Sequence, residues 1–181
     1  MGSALTAGRR ALAVVAVAAS LAATVSATGP ASAASEDWET PVTVYPMMCL
    51  EPGAPDSQGE IPFVGNPCNQ SRAQTFLGQW VPNSNKFLIR HLQTGTCLTL
   101  DPSNPTVSGT RIYAVNCDWS WRLQQFTRRN RPVNNGIQTS AGLCVQAQNP
   151  QSIGTNVPII QKTCNDSTLD QIAGIRLPPR T

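Results

Sequence analysis

Six cysteines divide into three pairs whose spacing repeats: Cys49/Cys68, Cys97/Cys117 and Cys144/Cys164. Within a pair the separations are 19, 20 and 20 residues. From pair to pair the first members step by 48 and 47 residues, the second by 49 and 47. Two registers that recur together mark an internal threefold repeat of roughly 48 residues. A repeat of that period decides the architecture before any local propensity does.

The N-terminal segment reads as something other than fold. Arg9 and Arg10 precede an apolar run, Ala11 to Ala19, that resumes after Ser20 and reaches Ala23. Small residues follow, and Ala31-Ser32-Ala33 has the form of a cleavage site. That order predicts a secretory signal peptide over residues 1–34, cut near Ala33 or Ala34. The residues around the Arg pair fit general export better than the twin-arginine route. A membrane anchor fits poorly, because the apolar run is short and soon broken by Ser and Thr. The leader has no cysteine to carry a lipid. Residues 35–181 then form a single domain by length.

The whole chain carries a net charge of +3, and the two leader arginines reduce this to +1 in the expected mature chain. A nearly neutral surface argues against nucleic acid or an anionic membrane as the main partner. Arg128, Arg129 and Arg131 form one local basic spot, read as a solvated loop. Export places the cysteines in an oxidising compartment, where an even set reads as disulfides. If three units share one structure, each closes its own loop, as Cys49–Cys68, Cys97–Cys117 and Cys144–Cys164. Each bridge then contributes about 3 kcal/mol in the chain-entropy account. A structural zinc needs close ligand pairs, and there are none.

More than cysteine repeats. Leu50, Leu98 and Val145 follow the first cysteines, and Gly59, Gly109 and Gly154 precede the second. Short apolar stretches come next, at residues 61–64, 111–115 and 156–160. After the second cysteine stand Gln74-Thr75-Phe76, Gln124-Gln125-Phe126 and Asp170-Gln171-Ile172. No long 3.6-residue apolar period follows the leader. The runs are short and bounded by Gly, Pro, Asn, Asp and Ser, which are strand and turn signals. Residues 87–92 read as a strand, with Cys97 to Leu100 as its hairpin partner. About four strands per unit predict about twelve in an all-β fold, over units at about 40–82, 83–130 and 131–177. Pro52, Pro55, Pro102, Pro105 and Pro150 are placed in loops.

Three units with Cys-Leu or Cys-Val, a mid-unit glycine that is Gly-Thr in two of them, a second cysteine and a Gln-x-Trp-like triplet resemble the ricin B-type lectin domain. The resemblance covers about residues 40–177 and implies a β-trefoil with pseudo-threefold symmetry. It also implies that the triplet's last residue, here Phe76, Phe126 and Ile172, packs in the shared core. Sugar-binding units of that family place an aspartate two residues after the first cysteine. They place an aromatic ring two before the second, and an asparagine before the triplet. A carboxylate and an amide then bond sugar hydroxyls while the ring stacks on the apolar sugar face.

This chain departs from that set in every unit. The aspartate positions hold Glu51, Thr99 and Gln146; the aromatic positions Asn66, Val115 and Lys162; the asparagine positions Ala73, Leu123 and Leu169. Fold therefore does not carry the sugar site with it. Substitute candidates in unit two are Asp101, Tyr113, Asn116, Asp118, Trp119 and Trp121. On a strand, Trp119-Ser120-Trp121 would put both indoles on one face, where they could stack on a sugar or instead cap the barrel. In unit one Glu51, Asn66 and Gln74 form the nearest thing to a polar pocket. Trp38 and Trp80 read as packing residues.

Nothing in the sequence composes a catalytic centre. His91 is the only histidine, it lies in an expected strand, and it reads as structural. No nucleophile motif, phosphate loop, metal set or cofactor signature stands out. Two classes remain. One is a secreted, extracellular carbohydrate- or glycoconjugate-binding domain without catalysis. The other is a secreted protein-interaction trefoil, either a toxin-type cell-binding subunit or an inhibitor.

Overall fold

The computed structural model describes residues 39–44, 47–129, 136–149, 154–165 and 175–179. The expected signal peptide, its cleavage site, Trp38, Arg131, Pro150 and Ile172 lie outside the described residues. Among the described residues all regular structure is strand, apart from two single-turn 3-10 segments at Arg72–Gln74 and Arg122–Gln124. Twelve strands are described. Unit one carries β1 (Glu39–Pro41), β2 (Thr43–Val44), β3 (Met48–Pro52), β4 (Phe63–Pro67) and β5 (Thr75–Trp80). Unit two carries β6 (Lys86–His91), β7 (Thr96–Leu100), β8 (Ile112–Asn116) and β9 (Phe126–Arg129). Unit three carries β10 (Gly136–Thr139), β11 (Cys144–Ala147) and β12 (Val157–Lys162).

The pairing is antiparallel throughout, in the order β1-β5-β6-β9-β10-β11-β12-β4-β3-β2, with β7 and β8 branching from β6. The two ends of that path are consecutive in the chain, on either side of Val42. The sheet thus curls until it nearly closes on itself, which removes most of its free edges. In each unit one hairpin carries the cysteines: β3–β4, β7–β8 and β11–β12. The three disulfides close within units, Cys49–Cys68, Cys97–Cys117 and Cys144–Cys164, with Cα atoms 4.9, 5.0 and 5.0 Å apart.

The barrel interior is filled from all three units. All four phenylalanines, Phe63, Phe76, Phe87 and Phe126, are fully buried. The rings of Phe63 and Phe76 lie 5.9 Å apart, and Phe87 stands opposite Phe126 where β6 pairs with β9. The triplet residues Phe76 and Phe126 are therefore core, as the resemblance implied.

Two local expectations change. Pro52 ends β3 opposite Phe63 instead of lying in a loop; at a strand end its missing N–H breaks no interior ladder bond. Arg128 and Arg129 stand on β9 rather than in a loop, paired with Ile137 and Gly136.

A C-terminal strap, residues 175–179, seals one side. Ile175 joins the core, and Leu177 packs against it. Its contact with β5 is close enough to demand glycine there. A Cβ on Gly78 would lie 2.4 Å from Leu177 Cδ2 and 3.2 Å from the Arg176 carbonyl. The Trp80 indole N–H donates to the Pro178 carbonyl at 2.6 Å, and its ring meets Phe87 edge-on.

Candidate functional site

Strand alternation on the β7–β8 hairpin contributes to a cleft among the described residues. Leu98, Leu100 and Ile112 turn inward to the core. Register sets Thr99 opposite Tyr113 and Cys97 opposite Val115, so Tyr113 and Val115 share the outer face. The unit-one loop lies over that face. Ala114 N–H donates to the Ile61 carbonyl at 2.8 Å, and Pro62 bridges to Tyr113. Gly59, with φ +80°, makes the turn that swings Glu60 and Ile61 into place. Trp121 also lines this space. The result is a cleft of about 330 Å³ whose walls include Glu60, Ile61, Pro102, Tyr113, Val115 and Trp121.

Its field is acidic. Burial pushes the Tyr113 phenol above its ordinary value, and the carboxylates of Glu60, Asp101 and Asp56 push the same way against Arg111. Asp101 is fixed by accepting from Ser103 N–H at 2.8 Å, and Asp56 by accepting from Gln58 and Glu60 N–H at 2.9 and 3.1 Å. These are side-chain turns that hold both loops in shape.

The remaining candidates of unit two fall outside the cleft walls. The Trp-Ser-Trp stretch is not a strand. Asp118 Oδ1 accepts from Ser120 N–H and hydroxyl at 2.8 and 2.7 Å, folding residues 118–121 into a tight turn. The Ser120 bonds also hold the Asp118 carboxyl below its usual range. That local capping defeats the alternation the sequence pattern offered. Only Trp121 reaches the cleft; Trp119 is 43% exposed beyond it. Asn116 sits exposed at the end of β8, its carbonyl accepting from Gln124.

In unit one the three polar candidates do meet, but they satisfy one another. Asn66 Nδ2 donates to Glu51 Oε1, and Gln74 Nε2 donates to Glu51 Oε2 at 2.9 Å. Asn66 Oδ1 accepts from Asn156 N–H at 2.5 Å, which clasps unit one to unit three. Gln74 is fully buried. Its Nε2 also donates to the Pro67 carbonyl, and its Oε1 accepts from Asn69 N–H. Gln74 is thus a brace rather than an open contact. Gln124 repeats the pattern in unit two, donating to Thr99 Oγ1 and the Asn116 carbonyl and accepting from Asp118 N–H. The sequence held the signal for this: a Gln opens the triplet in both units, six and seven residues after the second cysteine.

His91 is buried, with Nε2 at 2.9 Å from the Ala73 carbonyl and Nδ1 at 2.8 Å from Thr94 Oγ1. The Ala73 contact requires Nε2–H as donor, leaving Nδ1 to accept from Thr94. Burial lowers its pKa below 6.5, although the Ala73 carbonyl and the Glu51 charge oppose that. A folded-state pKa below the unfolded one means that the unfolded chain binds more protons as pH falls. The His91 contribution to stability is complete above about pH 6.5 and declines below it. Urea midpoints across pH 5 to 8 should show that decline in the parent. They should lose that component in His91→Gln; an unchanged profile would refute the assignment.

Among the described residues no three of His, Cys, Asp and Glu converge as a metal would need, and no helix is long and apolar enough to cross a membrane.

No family model and no curated protein matches the chain. Solved structures do. The designed threefold-symmetric protein ThreeFoil matches at 11% identity with a TM-score of 0.60, over 69% of this chain and 87% of its own. A chain of the Haemophilus ducreyi cytolethal distending toxin matches at 15% identity and 0.62, over 82% and 89%. The chain is a β-trefoil. The Polyporus squamosus lectin, solved with Neu5Acα2-6Galβ1-4GlcNAc, matches the trefoil at 11% identity and 0.60, over 73% of this chain. The trefoil spans only 45% of that lectin's length. At such identities the likeness establishes the fold alone.

Proposed function

We propose that this trefoil is a secreted, non-catalytic glycan-binding domain of the ricin B-like kind, and that its site is the Tyr113–Trp121 cleft. The observation that carries the reading is the cleft itself. Two aromatic residues, Tyr113 and Trp121, line it together with apolar Ile61, Leu100 and Val115 and the acidic Glu60. A sugar ring presents an apolar face for stacking and hydroxyls for the carboxylate, so both parts of the cleft are used. On β8, Tyr113 lies one alternation step from Val115, the position where sugar-binding relatives carry their ring. The aromatic partner is thus kept on the same face although its usual position is lost. Three disulfides fit an extracellular setting. The lone histidine is tied up in packing, which favours binding over catalysis.

A screen of the oxidised protein on a broad glycan array tests this. Tyr113→Ala and Trp121→Ala should each weaken the best hit about tenfold, and together about a hundredfold. Trp119→Ala should leave it unchanged. Equal loss in all three variants, or in none, would remove the site from this cleft.

A second reading, a cell-binding or partner-binding subunit of the toxin kind, is favoured by length. The cytolethal distending toxin chain is matched over 89% of itself, close to end to end. A blank array with retention on cells that depends on exposed Trp119 would support it.

A further inference from the structure

The cleft has a charge pattern as well as a shape. We propose that it selects glycans bearing free primary amines, that is, hexosamine units without N-acetylation; this rests on the glycan reading above. Glu60 lines the cleft together with Tyr113 and Trp121, and among the described residues its carboxylate accepts no hydrogen bond. Its charge is therefore available to a ligand. Asp56 and Asp101 are different. One oxygen of each accepts turn N–H groups, which fixes both carboxylates in their own loops, and neither lines the cleft, so they contribute a fixed field rather than contacts. All three act on Tyr113, with Arg111 as the opposing charge.

An ammonium group suits such a place on three counts. It donates to the open Glu60 carboxylate. It is attracted to the faces of Tyr and Trp rings. It feels the fixed negative field of the two turn carboxylates, in a cleft only partly screened by water. A neutral sugar gains the stacking and hydroxyl bonds to Glu60 but no attraction of opposite charge. A uronic or sialic acid would meet like charge. The chain as a whole is close to neutral, so this acidity is local to the cleft and does not come from general surface charge.

Calorimetric titration of the oxidised protein with a glucosamine tetramer and with its N-acetylated counterpart isolates the amine, since the two share ring and linkage. The free-amine tetramer should bind about tenfold tighter at low salt. That advantage should shrink at high salt and fall toward parity in Glu60→Gln. Trp121→Ala should weaken both tetramers. Equal binding of the two tetramers, or an advantage that survives Glu60→Gln, overturns the proposal. So does undiminished binding of the amine tetramer to Trp121→Ala, which would mark diffuse charge attraction. If array hits are neutral glycans lost in Trp121→Ala, the amine preference falls while the glycan site stands. If neither tetramer nor any array glycan binds, both fall.

Discussion

Deleting residues 175–181 should destabilise the fold by about 4 kcal/mol, enough to matter in a domain whose net stability is only about 5–15 kcal/mol. The strap buries Ile175 almost completely, at 6% exposure, and lays Leu177 against the core. Losing a buried Ile costs about 1.5–3 kcal/mol, and a partly buried Leu less. The Trp80 indole N–H would lose the Pro178 carbonyl, worth about 1 kcal/mol. Gly78→Leu attacks the same contact from the other side. Its Cβ would sit 2.4 Å from the tip of Leu177, which can rotate away, but also 3.2 Å from the Arg176 carbonyl, which cannot. Overpacking of that kind costs about 2 kcal/mol. In the shortened chain the same substitution should be almost neutral, because the strap it collides with is gone. Urea midpoints of the four proteins close the cycle. Additive losses would show that the strap does not rest on β5.

The strap also shows where the sequence stopped being readable. The cysteine registers fixed hairpin positions because a covalent pair with constant loop length forces equivalent strands to equivalent places. Residues 87–92 and 97–100 therefore became β6 and β7 within a residue. The triplet phenylalanines were legible for a related reason: a residue type held at one step of a repeat is held by the shared core. Contacts between units carry no such period. Neither the Asn66–Asn156 clasp nor the strap over Gly78 is announced by spacing.

The candidate site divides the same way. Tyr113 and Trp121 could be picked out by residue type, but not brought together, because the cleft exists only where the unit-one loop crosses β8. Glu60 escaped notice since it belongs to the neighbouring unit. Trp119 was misplaced because a period-two pattern was allowed to outrank the Asp118–Ser120 turn beside it. Glu51, Asn66 and Gln74 do come together, but the recurrence of Gln74 as Gln124 marks that residue as scaffold. In a repeat fold, what recurs is structure and what differs between units is the place to look for function.

Gln124→Leu puts that distinction to the test, with an expected loss of about 3 kcal/mol. Leu is close in volume, so the cost is not a cavity. Gln124 is wholly buried, and its amide serves three partners: Thr99 Oγ1 at 2.9 Å, the Asn116 carbonyl at 2.8 Å and Asp118 N–H at 2.7 Å. Thr99 is buried and cannot turn to water. Asn116 and Asp118 are exposed residues and recover part of their hydration, which keeps the total below the sum of three orphaned groups. Thr99→Val removes one of those partners in advance, so the double variant should be less damaged than the two single losses predict, by about 1 kcal/mol. The same substitution should also reach the cleft. The Gln124 side-chain oxygen accepts from Asp118 N–H at the head of the turn from which Trp121 projects, and Leu removes that brace. Glycan affinity measured well below the unfolding midpoint should therefore fall in Gln124→Leu although no side chain of the cleft has changed. In Gln74→Leu, whose brace serves unit one, stability should drop and affinity should not. A matched loss of affinity in both variants would mean that binding follows global stability rather than the placement of Trp121.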